Sequence, residues 1–94
     1  MKVRYTNRAF KDREAILTRL KSVSPTGARR VLERFDAVTT LLAEQPSAGV
    51  ATDISGVRVL FVGRYPYKLF YRQHGDEIQI LHIRHTARLP IKSI

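Results

Sequence analysis

The chain has 94 residues, 44% hydrophobic and 27% charged, and its 17 Lys and Arg against eight Asp and Glu give a net charge of +9. This length implies one domain over 1–94, burying only about 60 to 65% of its unfolded surface around a simple core. Without cysteine there are no disulfides or thiolate metal sites, no run approaches the ~18 apolar residues of a membrane span, and Met1-Lys2 leads into alternating residues without a signal-peptide core. A cytoplasmic protein with no membrane association is therefore expected. The positive field favours nucleic acid or an acidic protein partner and speeds encounter with either.

Lys2 to Thr6 alternates Val3 and Tyr5 with Lys2 and Arg4, the period of a half-exposed strand that is too short for the middle of a sheet. Thr6 or Asn7 can cap a helix running from Arg8 to about Ser22, with Ala9, Phe10, Ile16, Leu17, Leu20 and Val23 roughly on one stripe. Ser24-Pro25 restarts the chain as N-cap and first helical residue. In the second helix Ala28, Val31, Phe35, Val38, Leu41 and Leu42 recur at three- and four-residue steps until Gln45-Pro46 stops the run. The short break between the two predicts an antiparallel helical hairpin.

Pro46 to Ser55 is polar and small and reads as a connecting loop. Three apolar runs follow, Val57 to Val62, Tyr67 to Arg72 and Ile78 to Ile83, punctuated by Gly63/Pro66 and His74-Gly75-Asp76, which predicts a three-stranded antiparallel meander. In the first, Val57, Val59 and Phe61 oppose Leu60 and Val62; in the second, Tyr67, Leu69 and Tyr71 alternate with Lys68, Phe70 and Arg72. Strict alternation in the third groups Ile78, Ile80, His82 and Arg84 against Gln79, Leu81, Ile83 and His85. Register, and which face meets the helices, stays open. The expected fold is α+β in the order β-α-α-β-β-β, with the helical hairpin packed on one face of the sheet.

Catalytic templates are missing: there is no Walker loop, no Gly-x-Gly-x-x-Gly, no His-Glu-x-x-His and no cysteine nucleophile, so no cofactor and no small-molecule ligand are expected. No metal is expected either, since His82 and His85, three apart on a strand, point to opposite faces. What remains is cationic and aromatic: Arg64, Lys68, Tyr71, Arg72, Arg84, His85 and Arg88. A metal-independent ribonuclease needs a base for the 2′-hydroxyl, an acid for the leaving oxygen and a cation over the phosphate. His85 could act as acid or base, with Lys68, Arg84 or Arg88 on the phosphate. A surface or hydrogen-bonded histidine is the alternative, and His82, between Leu81 and Ile83, reads as packed and hydrogen-bonded. Tyr65, Tyr67 and Tyr71 interleave with Arg64, Lys68 and Arg72, a pattern that either stacks bases and holds phosphates or packs a core. Arg29, Arg30 and Arg34 give the second helix a basic face that could receive an acidic partner.

The run Val59-Leu60-Phe61-Val62-Gly63-Arg64-Tyr65-Pro66-Tyr67-Lys68-Leu69-Phe70-Tyr71-Arg72, then Gly75-Asp76-Glu77-Ile78 and Ile83-Arg84-His85-Thr86-Ala87-Arg88-Leu89-Pro90, resembles the ParE branch of the RelE/ParE toxin superfamily. The resemblance implies a toxin of a bacterial type II toxin-antitoxin module, neutralised by an acidic or amphipathic segment of a cognate antitoxin. Arg29, Arg30 and Arg34 are the expected antitoxin contacts. ParE-like members poison DNA gyrase, whereas RelE-like members cut mRNA in the ribosome with basic residues and tyrosine or histidine. The Tyr65-Pro66-Tyr67 run leans to the first, with Arg64, Tyr65, Tyr67, Arg72, Arg84 and Arg88 as target contacts. Lys68 falls where RelE-like enzymes carry a catalytic arginine, and no tyrosine follows His85 through Arg88. On the RelE-like reading Lys68, Arg84, His85 and Arg88 form the catalytic set. A third reading is an inactive module that only binds its antitoxin.

Overall fold

The computed structural model describes residues 1–86. The elements are β1 (Lys2–Tyr5), α1 (Asn7–Val23), α2 (Pro25–Glu44), β2 (Val50–Ala51), β3 (Val57–Phe61), β4 (Tyr67–His74) and β5 (Glu77–His85). Thr6 is the cap of α1: its hydroxyl accepts from the Ala9 N–H at 3.2 Å and donates to the Ile80 carbonyl at 2.8 Å, so one side chain starts the helix and ties it to β5. Ser24 closes α1 through its N–H to the Leu20 carbonyl and opens α2 by accepting from the Gly27 N–H at 3.0 Å, with Pro25 in the first turn.

The sheet has the order β1-β5-β4-β3-β2. The meander β3-β4-β5 is antiparallel as expected, but the sheet is mixed, because β1 runs parallel to β5, pairing Lys2 with Glu77 through Tyr5 with Ile80. The chain leaves β1 into a helical hairpin and returns through β2 to β4, and this long crossover is what lets its first and last strands lie side by side in the same direction. A further strand, β2, interrupts the expected loop and pairs with Val59 and Arg58.

Both helices lie on one face of the sheet. Phe35, Val38 and Leu42 of α2 and Leu17 of α1 pack with Leu69, Tyr71, Ile78, Ile80 and Ile83, and each such buried aliphatic or aromatic side chain contributes about 1.5–3 kcal/mol. Strict alternation along β5 fails at one place. Phe70 pairs with His82 but Tyr71 pairs with Ile80, so Leu81 has no partner across the ladder. This bulge returns Ile83 to the helix-covered face occupied by Ile78 and Ile80, three residues after Ile80 instead of two. His85, opposite Tyr67, follows Ile83 onto that face, while His82 and Arg84 pair with Phe70 and Lys68.

Candidate functional site

Pairing with β1 ends at Ile80, which leaves the outer edge of β5 from Leu81 to His85 facing α1. A groove of about 440 Å³ runs there, walled by Ala15, Ile16 and Ile83 and carrying Asp12, Arg19, Tyr67, His82, Arg84 and His85. Asp12 organises it. One carboxylate oxygen accepts from the Ile83 backbone N–H at 3.1 Å and from His82 Nδ1, and the other lies 3.9 Å from Arg8 Nε. Arg8 Nη2 sits 3.1 Å from His82 Nε2, and because a guanidinium only donates, Nε2 accepts and Nδ1 carries the proton given to Asp12. His82 is thus held between the Arg8 guanidinium and the Asp12 carboxylate. Asp12 in turn covers a free backbone donor on the strand edge, where an open ladder would recruit another strand.

Tyr67 is only 3% exposed, its ring edge-on to Phe35 at 6.0 Å and to His85 at 5.9 Å between centroids. It forms the inner end of the groove more than a surface contact. Among the described residues the Arg84 Nε is buried without a hydrogen-bond partner, an orphaned cationic donor beside His85. Lys68 does not line the groove: it is the cross-strand neighbour of Arg84, on the sheet face opposite His85, with its ammonium 5.9 Å from the Phe70 ring centroid. The expected catalytic set therefore divides, with Arg84 and His85 together and Lys68 apart. Arg88 lies outside the described residues.

A second cleft, about 560 Å³, opens between α2 and the β3–β4 turn and is lined by Arg30, Glu33, Arg34, Ala37, Gly63, Arg64 and Tyr65. It joins residues that sequence reasoning assigned to different partners, Arg30 and Arg34 to one and Arg64 and Tyr65 to another. Gly63 has φ +59°, a conformation that favours glycine, and the Arg34 guanidinium lies against this turn, its Nε 2.8 Å from where a Cβ would stand. Arg29 is exposed on α2 but does not line the cleft.

Arg72 belongs to neither. It lies on the helix-free face at the other end of β4, where its Nε donates to Gln79 at 2.9 Å, Gln79 donates to Glu77 at 2.9 Å, and Arg4 donates to the same Glu77 oxygen at 3.3 Å. The Gln79 hydrogen bond, then that of Arg4, holds the Glu77 carboxyl below its ordinary range. Asp12 and Arg19, which line the groove, and Arg8, which contacts Asp12 and His82 beside it, are the charged residues that sequence reasoning missed. The one available signal was the Arg8/Asp12 spacing of four on the polar side of α1. Among the described residues no group of three or more His, Asp or Glu could hold a metal ion.

Residues 3–90 match the family described as ParE toxin of type II toxin-antitoxin system, parDE. The chain belongs to this ParE toxin family. A Sinorhizobium fredii (strain NBRC 101917 / NGR234) protein named "Putative toxin Y4kP" is 31% identical to this ParE-family chain over 85 residues, 90% of this chain and 88% of that protein. Among solved structures, a chain of the "Chromosomal ParDE TA system from P. aeruginosa" superposes with a TM-score of 0.79 at 28% identity, over 90% of this chain and 95% of that one. "The structure of YoeB dimer from Staphylococcus aureus" superposes with a TM-score of 0.63 at 9% identity over the same shares, a likeness of fold alone. The ParE-type fold is therefore the mixed sheet with a helical hairpin on one face.

Proposed function

We propose that this ParE-family chain is a cytoplasmic, single-domain toxin that inhibits DNA gyrase by binding, without chemistry of its own, and is neutralised by a cognate antitoxin. The observation that carries the reading is the separation of Lys68 from His85. A metal-free nuclease needs its acid, base and phosphate-holding cation around one scissile phosphate, within about 3 Å of the atoms they serve. Lys68 does not line the groove that holds His85, and by register it lies on the opposite sheet face from His85. Binding surfaces tolerate such division, since each cation can meet a different part of a large target. Arg64, Tyr65 and Arg84 are the proposed gyrase contacts, with Arg72 at the far end of β4; Arg29, Arg30 and Arg34 are the proposed antitoxin contacts, on an exposed basic stretch of α2 suited to acidic side chains.

One observation favours the second reading, an mRNA endonuclease acting on the ribosome: Arg84, His85 and Arg19 line one groove with the Asp12–His82 pair. The experiment that separates them incubates the purified toxin, freed of antitoxin, with gyrase, ATP and plasmid, and scores supercoiling and trapped double-strand breaks. The gyrase reading expects inhibition with trapped breaks, and His85→Gln retaining toxicity. No effect at any toxin excess, with mRNA cut on ribosomes and toxicity lost in His85→Gln, would replace it with the nuclease. Harmless expression without antitoxin would leave a module that binds its antitoxin and nothing more.

A further inference from the structure

We infer that the cleft between α2 and the β3–β4 turn is a seat for the backbone phosphates of a nucleic acid. Its lining brings three guanidinium groups, of Arg30, Arg34 and Arg64, against one carboxylate, Glu33. All four side chains are exposed, and among the described residues none of the three arginines makes a hydrogen bond or ion pair. Three cations elsewhere on the chain are paired: Arg4 with Glu77, Arg8 with Asp12 and Arg13 with Glu14. Like charges gathered without counter-charges raise the local potential and repel one another, an arrangement that an arriving anion relieves.

The number and kind of these groups select the anion. A carboxylate carries a single charge on two oxygens, so three guanidinium groups lining one cleft exceed what one acidic side chain can neutralise. A phosphodiester backbone presents a charged oxygen pair at each nucleotide, and successive phosphates can take successive arginines. The walls point the same way. Ala37 and the half-buried Tyr65 are the cleft's main apolar surfaces, too little for a peptide anchored by burial but sufficient for a contact that is mostly electrostatic. The Arg34 guanidinium lies against the turn that carries Arg64 and Tyr65, its Nε 2.8 Å from where a Cβ of Gly63 would stand. The net charge of +9 supplies the long-range attraction. Because Arg30 and Arg34 are also proposed antitoxin contacts, nucleic acid and antitoxin would compete for this cleft.

The test contains neither gyrase nor antitoxin, so its outcome is independent of the proposed function. Binding of the purified chain to a short fluorescent DNA duplex is followed by anisotropy across a salt series, for the wild type and for Arg30→Gln, Arg34→Gln, Arg64→Gln and Arg29→Gln. Circular dichroism checks each fold, which exposed arginines are not expected to disturb. Arg30→Gln, Arg34→Gln and Arg64→Gln should each flatten the slope of log affinity against log salt by about 0.9, the value of one phosphate contact on duplex DNA. Each should also weaken binding about tenfold at low salt, as the loss of one charge-assisted contact does. Arg29→Gln, which removes the same charge from the same helix outside the cleft, should leave the slope unchanged. An equal loss in Arg29→Gln would mean that only net charge matters and would overturn the site. Failure to bind duplex, with capture of a labelled poly-glutamate peptide instead, would overturn it in favour of an acidic protein ligand.

Discussion

Tyr71 shows how much one side chain decides in a chain this short. Its hydroxyl accepts from the Gly49 N–H and donates to the Pro46 carbonyl, both at 2.8 Å, so a core strand residue pins the segment between α2 and β2. Gly49 is there because a Cβ would stand 2.7 Å from the tyrosine ring. Tyr71→Phe keeps the ring and strands a buried backbone donor, and is expected to cost about 1–3 kcal/mol in chemical denaturation. A loss below about 0.5 kcal/mol would mean the segment is held by other contacts. The alternation of Tyr71 with Phe70 and Arg72 was readable along the chain; its partners, more than 20 residues earlier, were not. Asp12 is a similar case. It is a polar residue on an amphipathic helix, and only the approach of α1 to the edge of β5 gives it His82 and Ile83 to hold.

At the scale of elements, the join of β1 to β5 is where the sheet departs from a plain meander, and it carries its own charge network. Arg4 and Gln79 both donate to Glu77, stabilising the ionised carboxylate of the residue that begins β5 opposite Lys2. A carboxyl whose pKa is lowered on folding stabilises the fold above its ordinary value, here 4.5, and loses that contribution as the pH falls through the lowered value. The wild type is therefore expected to be more stable than Glu77→Gln near neutrality, with the gap closing on acidification below 4.5. Thermal melts of both proteins across the acid range check this, and a gap independent of pH would remove the ionised pair as its cause. The site is open to water, so added salt should shrink the gap too.

For the whole molecule the governing quantity is the +9 charge on 94 residues. If the antitoxin is recognised through the basic stretch of α2, its affinity should fall steadily between about 0.1 and 0.5 M salt, because exposed charge pairs are screened within about a Debye length. Isothermal titration across that range is the measurement. Affinity independent of salt would place the antitoxin in the groove walled by Ala15, Ile16 and Ile83, where apolar burial does not answer to ionic strength.

Local chemistry wrote much of this protein into its sequence. The 3.6-residue recurrence of Val31, Phe35, Val38 and Leu42, the double duty of Ser24, the cap at Thr6 and the alternation of β4 are all decided by groups within a few residues of one another. The run from Val59 to Pro90 also carried the family. What only the tertiary structure decided depends on groups far apart. The parallel return of β1 beside β5 needs the whole crossover between them, and β2, two residues long, forms only because β3 offers it an edge. The bulge at Leu81 matters most for the candidate site. Period-two reasoning put Ile83 and His85 opposite Ile80, and burial put them on the same side, because the gain from covering Ile83 under α1 outweighs one break in the ladder. That single extra residue determines which of the expected site residues share a groove.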